Sequence, residues 1–269
     1  MNDLSTNPAA ARAEALLQRS DEDRVAILTL NRPRQYNALS GALLDALHRE
    51  LDAIATDDAV RVVMITGAGS AFCSGHDLKE MRAMGDRAAV EALFFRCSAM
   101  MRKLVALPQP TIAVVNGIAT AAGCQLVAQC DLAVASAHAR FAASGINLGL
   151  FCSTPAVPLS RNLSRKRAAE MLFTGEFIEA PVALDWGLVN RVAPPERLME
   201  TARELANNLI AKPREALALG KALFYRQMEM GLGNAYDDAS RTIAFNMDAD
   251  IAREGVDAFF AKRSPRWKP

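Results

Sequence analysis

A chain of 269 residues, 51% of them hydrophobic, is long enough for one large domain or a core with an appendage. Its formal net charge of +1 supplies no global field for nucleic acid or an anionic membrane, so an anionic ligand must be met by local cations. Three histidines, and five cysteines without a Cys-x-x-Cys pair, argue against a zinc site and a disulfide frame, and no apolar stretch approaches the length of a membrane span.

Residues 1–20 carry Asp3, Glu14, Arg12 and Arg19 and no apolar block. They read as a tail on a cytoplasmic protein rather than a secretory signal, with an Ala- and Arg-containing organelle-targeting helix as the alternative. Arg24 to Leu30 reads as a strand closed by Asn31-Arg32-Pro33. Ser40 is placed to cap a helix whose apolar positions Leu43, Leu47, Leu51 and Ile54 follow at helical spacing. Val60 to Thr66, ending in Gly67-Ala68-Gly69-Ser70, predicts a buried strand and a loop. Arg87 to Leu107 is helical in composition and stops before Pro108 and Pro110. Thr111 to Val115 reads as a strand, Thr120 to Cys130 as a helix and Asp131 to Ala135 as a strand. The alternation predicts an α/β body with mostly parallel strands.

Beyond Pro195 the pattern turns helical. Leu198, Ala202, Leu205 and Leu209 begin a long helix, Pro213 suits the first turn of the next, and Ala252 to Lys262 forms the last. The expected division is a tail at 1–20, a body at 21–195 and a helical region at 196–269. That region has too little material to bury its own apolar faces, so it should pack on the body or on neighbouring subunits.

Two runs carry the functional signal: Ser74-Gly75-His76-Asp77-Leu78-Lys79, and Val115-Asn116-Gly117-Ile118-Ala119-Thr120-Ala121-Ala122-Gly123-Cys124-Gln125. Each ends an apolar run and turns, at small residues, into a segment able to start a helix. Unpaired N–H groups at such turns can converge on one developing negative charge. The plain alternative is a strand-to-helix turn. No GxGxxG or GxxxxGK[ST] motif suggests a dinucleotide or nucleoside triphosphate.

These runs, with Asn31-Arg32-Pro33, Asn37-Ala38-Leu39, Cys130-Asp131, Leu172-Phe173-Thr174-Gly175, Gly187-Leu188-Val189 and Phe260-Ala261-Lys262-Arg263, resemble the enoyl-CoA hydratase/isomerase (crotonase) superfamily over about residues 24–266. Within it, Thr120 to Gln125 and Gly149 to Pro155 look most like the branch of enoyl-CoA hydratase domain-containing proteins. The resemblance implies an α/β spiral of ββα turns with a C-terminal helical trimerisation region, in homotrimers that often pair into hexamers. It also implies an acyl-CoA thioester as ligand, with coenzyme A as part of the substrate, no separate cofactor and no metal. The compartment implied is cytoplasmic, or the mitochondrial matrix in a eukaryote.

By position in the motifs, the family's oxyanion donors fall on the backbone N–H groups of His76 and Ala122. An alanine at 122 serves provided its φ stays negative. The His76 ring is either a hydrogen-bonding or proton-carrying group or simply packed, and Asp77 reads as a loop-shaping carboxylate. The resemblance sets Ala38 and the Ser74, Gly75, His76, Asp77, Leu78, Lys79 loop, with Ala122 and Gly123, against the ligand. Arg34, Lys79 and Lys262 or Arg263 of a neighbouring subunit are candidates for its phosphates. A second basic run, Arg161, Arg165, Lys166 and Arg167, looks like the start of a helix with a solvated face.

The two glutamates of working hydratases fall here on Gln125 and Gly145, and a further acid position of isomerase and hydrolase relatives falls at or near Ser153. None is a carboxylate. Glutamine can hold a water but cannot take its proton. Cys152 and Glu80 are weak substitutes, and Phe94, Phe95, Met81 and Met84 are the residues expected to set acyl length. The sequence therefore reads as an acyl-CoA-binding protein, weak or non-standard as a hydratase. An active hydratase using other residues, and a non-catalytic structural or regulatory partner, are the other readings.

Overall fold

The computed structural model describes residues 15–267. Of the expected tail, residues 1–14 lie outside the described residues, while residues 17–20 belong to the sheet. Leu17–Glu22 (β1) and Val25–Leu30 (β2) form an antiparallel hairpin across Asp23 and Arg24, both with positive φ, as a two-residue turn matching the strand twist demands. The chain continues through Gly41–Ala55 (α1), Val62–Gly67 (β3), Ala71–Cys73 (β4), Leu78–Ala83 (α2), Arg87–Ala106 (α3), Thr111–Val115 (β5), Ile118–Thr120 (β6) and Ala122–Gln129 (α4). Leu132–Ser136 (β7), Arg140–Ala142 (β8), Ser153–Asn162 (α5), Arg165–Thr174 (α6), Ile178–Glu179 (β9), Ala180–Trp186 (α7) and Arg191–Ala193 (β10) complete the body. Leu198–Ile210 (α8), Arg214–Gln227 (α9), Leu232–Asp248 (α10) and Asp250–Phe260 (α11) follow.

The larger sheet runs β1-β2-β3-β5-β7-β10 and is parallel from β2 onward; the smaller runs β4-β6-β8-β9. Each of β3-β4, β5-β6 and β7-β8 sends its first strand to the large sheet and its second to the small one before a helix returns. That is the expected spiral of ββα turns. Every residue of β3 and β5 is buried, because both faces of the large sheet are covered. Val63 and Ile65 face the main core with Leu43, Leu47 and Phe72. Val62 and Met64 face Leu198, Ala202 and Ala206 of α8.

The crossings between the sheets are tight. A Cβ on Gly117 would stand 2.1 Å from the Ser70 carbonyl oxygen, so only glycine passes there. Asn37, fully buried, donates to the carbonyls of Ala68 (2.9 Å) and Ala71 (2.7 Å) and accepts from Arg32 N (2.9 Å).

The second helix of the C-terminal region, α9, is locked to the body by a saturated polar knot. Lys221 Nζ donates to Asp131 Oδ2 (2.7 Å) and to the carbonyls of Leu104 (2.8 Å) and Gln109 (3.0 Å). Tyr225 OH donates to Asp131 Oδ1 at 2.7 Å, and Thr111 donates twice to Oδ2. In contrast, Leu232, Ile243, Phe245, Phe259 and Phe260 on and around α10 and α11 stay exposed. Among the described residues no helix is long and apolar enough to cross a membrane.

Several boundaries differ from those read in the sequence. Thr120 ends β6 rather than starting a helix, because its backbone pairs with Ala142 of β8. Arg161 lies in the last turn of α5, so the basic run spans a break, with Arg165–Arg167 opening α6. Pro195 opens a short 3-10 turn ahead of α8.

Candidate functional site

The two marked runs meet. Past β4 the chain turns at Gly75, with φ 95°, and His76 then bridges Leu39: Leu39 N donates to Gly75 O (2.7 Å) and Asp77 N to Leu39 O (3.2 Å). Alternation along an extended chain turns the intervening His76 N–H away from Leu39. It donates to no group among the described residues.

The second run ends β6 and kinks at Ala121, with φ 49° and ψ −120°, a conformation that favours glycine. The positive φ falls at 121 and not at 122, where the sequence reading had placed its proviso. The kink is pinned by Ala121 N donating to Ala142 O at 2.9 Å. It leaves Ala122 as the first residue of α4, its N–H without an intrahelical acceptor and reinforced by the helix's positive end.

Close packing fixes the two donors relative to each other. A Cβ on Gly75 would lie 2.9 Å from Ala121 Cβ and 3.3 Å from Ala122 N. One on Gly123 would lie 2.0 Å from the Cys73 carbonyl oxygen. Both turns therefore require glycine, and both border one cleft of about 510 Å³, which Ser74, His76, Leu78, Ala121 and Ala122 help to line.

The carboxylates beside this loop are occupied elsewhere. Asp77 caps α2 through the N–H groups of Lys79 and Glu80 and pairs with Arg32 at 2.8 Å. The guanidinium holds its carboxyl below the usual range, and the same guanidinium donates to Ala38 O. Glu80 accepts from Gly41 N through both oxygens, at 3.0 and 3.1 Å, tying α2 to the start of α1. Arg34, Lys79 and Lys262 are exposed and do not line the cleft; Lys262 lies just past α11 in the C-terminal region. Ala38 and Gly123 are buried behind the two turns.

The expected acid and base positions divide. Gln125 is 3% exposed, one helical turn after Ala122, and its Oε1 has no hydrogen-bond partner. Gly145 lines the cleft, but a Cβ there would meet Leu150 O at 2.6 Å and Cys152 Sγ at 2.9 Å. The space in which a side chain would begin is filled by the returning 149–152 loop. Ser153 opens α5 and donates to Phe151 O at 3.3 Å. Met81 and Phe94 line the cleft as expected, whereas Phe95 faces an adjoining groove and Met84 packs on the core.

Among the described residues two titratable side chains line the cleft, His76 and Cys152, and no carboxylate, Lys or Arg does. Burial pushes the His76 pKa down to about 4, leaving the ring neutral, edge-on to Phe94 with centroids 4.9 Å apart. Burial likewise raises the Cys152 thiol, partly offset by the Gly145 N–H, so it stays protonated. The sequence reading missed one pair, Thr120 Oγ1 and Ser144 Oγ at 2.6 Å, the latter on the cleft wall. Its only signal was that Ser144 sits beside Gly145. All five cysteines are buried and unpaired.

A ββα spiral with two unpaired amide donors bordering one cleft is the crotonase fold. The chain belongs to the enoyl-CoA hydratase/isomerase family, whose model matches residues 20–269. It is 44% identical over 264 residues to the rat mitochondrial enoyl-CoA hydratase domain-containing protein 3, covering 98% of this chain and 88% of that one. The crystal structure of a Mycobacterium smegmatis enoyl-CoA hydratase superposes with a TM-score of 0.92 at 56% identity, covering 94% of this chain and 99% of that chain. The human domain-containing protein 3 superposes with a TM-score of 0.91 at 42% identity, covering 94% and 100%.

Proposed function

We propose that the protein binds an acyl-CoA thioester with its carbonyl oxygen between His76 N and Ala122 N, and that it is a weak or non-standard hydratase. A thioester oxygen gains charge whenever a carbanion forms at Cα, and each positioned amide donor contributes roughly 10²–10³-fold to such a step. Hydration also needs one group to deprotonate water and another to protonate Cα, each contributing roughly 10²–10⁴-fold. The observation that carries the reading is the wall itself: His76 and Ala122 both border it, yet among the described residues no carboxylate lines it and the 145 position is sterically closed.

Arg34 and Lys79, both exposed, are proposed to meet the coenzyme A phosphates, with coenzyme A present only as part of the ligand. Lys262 would join them from a neighbouring subunit. The uncovered apolar side chains of α10 and α11 support a homotrimer or a hexamer built from trimers.

Titration calorimetry with butyryl-CoA and crotonyl-CoA tests the ligand, and the enoyl absorbance of crotonyl-CoA on the same sample tests turnover. Binding with negligible loss of absorbance is expected. Rapid loss would restore the active-hydratase reading, and absence of binding would leave a structural partner.

A further inference from the structure

The Asn31-Arg32-Pro33 turn supplies no residue to the cleft wall, yet its arginine reaches both chain segments that set the direction of the His76 N–H. One segment is the stretch 36–39, and the other is the loop 74–77. Their backbones pair on either side of His76. Ser74 N donates to Tyr36 O at 3.0 Å, Leu39 N to Gly75 O at 2.7 Å and Asp77 N to Leu39 O at 3.2 Å. The His76 N–H is the unpaired group within this ladder, so a shift of either segment re-aims it.

The Arg32 guanidinium bridges the two segments. One terminal nitrogen donates to Ala38 O, and the other donates to Asp77 Oδ2 at 2.8 Å. A guanidinium is a planar fork with fixed donor directions, so two acceptors held by it keep a fixed separation. Asp77 divides its oxygens accordingly: Oδ2 meets Arg32, while Oδ1 accepts from Lys79 N (3.1 Å) and Glu80 N (3.3 Å) to cap α2. The Arg32 and Asp77 side chains are only 15% and 17% exposed, so water competes little for either partner.

The base of the bridge is equally fixed. Arg32 N donates to Asn37 Oδ1 at 2.9 Å, and Arg32 O accepts from Asn37 N at 3.0 Å. Asn37 is in turn tied to Ala71 of β4. Tyr36 and Asn37 take positive φ, 49° and 55°, a conformation that persists where the surroundings impose it. A second tie, from Gly41 N to the Glu80 carboxylate, lies past Asp77 and leaves the His76 stretch to Arg32.

We propose that Arg32 is a positioning residue: through Ala38 O and Asp77 it holds the His76 N–H on the line toward a bound thioester oxygen. This rests on the acyl-CoA reading above. An amide donor stabilises charge only when it is already aimed, and a misplacement of about 1 Å costs on the order of 10²-fold in a reactive step.

The test is carbon-13 NMR of [1-13C]butyryl-CoA, a saturated ester with no double bond to hydrate, held fully bound by wild type, Arg32→Met, Arg32→Lys and Asp77→Asn. Calorimetry supplies the affinities. The downfield displacement of the bound carbonyl reads how well the amides are aimed, whatever stability a variant has lost. In Arg32→Met it should fall by about half, one of two donors being released, while Kd rises no more than about tenfold. Arg32→Lys, whose single ammonium cannot reproduce the fork, and Asp77→Asn should lie between. These two variants decide the matter if Arg32→Met does not fold by circular dichroism. The full wild-type displacement in the folded variants would overturn this inference alone, leaving Arg32 a stabilising ion pair. Loss of all binding in them would overturn it as well, as the mark of a collapsed cleft. No binding, or no displacement, with wild type would overturn the acyl-CoA reading and this inference with it.

Discussion

Gly145→Ala probes whether the cleft has closed against a second proton carrier or merely lost it. The added Cβ would stand 2.6 Å from the Leu150 carbonyl oxygen, 0.8 Å inside the 3.4 Å at which ordinary contact begins, and 2.9 Å from Cys152 Sγ. Leu150 cannot simply step aside, because its N–H donates to Gly145 O at 3.0 Å, so the obstructing loop is tied to the residue being changed. Overpacking of this kind costs about 1–3 kcal/mol. For a chain of this size that corresponds to a fall of about 5 °C in Tm. Differential scanning fluorimetry of Gly145→Ala and Gly145→Glu reads the cost, and crotonyl-CoA hydration by Gly145→Glu reads the chemistry. Destabilisation in both, with no gain of hydration in the glutamate variant, is expected. A Gly145→Glu protein as stable as wild type and newly active would refute the steric argument.

Gln125→Glu alone should leave crotonyl-CoA hydration within about tenfold of wild type, since acid and base act together and the second remains absent; steady-state rates check this. Lys221→Met should destabilise by about 3–5 kcal/mol in urea unfolding, because it leaves the Asp131 carboxylate buried without its cation. Asp77→Asn should be less stable than wild type near neutrality, with the gap closing on acidification. The folded pKa of Asp77 lies below its unfolded value, so its contribution is present above the unfolded pKa and fades as pH falls through the folded one. For His76, whose folded pKa of about 4 lies below its unfolded value, the unfolded chain binds the extra proton. Stability should therefore fall from about pH 6.5 toward pH 4, and His76→Phe should flatten that part of the curve.

What the sequence made legible was whatever depends on local pattern. Thr111–Val115 is a strand end to end, and the Ser40 hydroxyl caps α1 by accepting from Leu43 N, as the spacing demanded. β4, β6 and β8 are three residues each, too short to show a period, and exist because a second sheet pairs them. β1, Leu-Gln-Arg-Ser-Asp-Glu, is mostly polar because it is an edge, and composition alone assigned its first four residues to the tail.

The site divides in the same way. The two turns at His76 and Ala122 were marked by short motifs, and both border the cleft. The partners of Glu80 and Lys221 lie 39 and 90 residues away in sequence, so their roles were invisible until the fold brought Gly41 and Asp131 to them. The closure at Gly145 has the same origin, since it is made by a loop returning from Leu150 and Cys152. The kink at Ala121 is likewise held from outside, by Ala142 O accepting from Ala121 N.

Carbon-13 NMR of [1-13C]crotonyl-CoA mixed with one equivalent of the purified protein examines polarisation and turnover together. The thioester carbonyl resonance should move downfield on binding, as hydrogen bonds from His76 N and Ala122 N draw electron density to the oxygen, while the ligand persists as the enoyl ester over hours. An unshifted carbonyl, or conversion to 3-hydroxybutyryl-CoA within minutes, would contradict a cleft that grips the carbonyl without proton carriers.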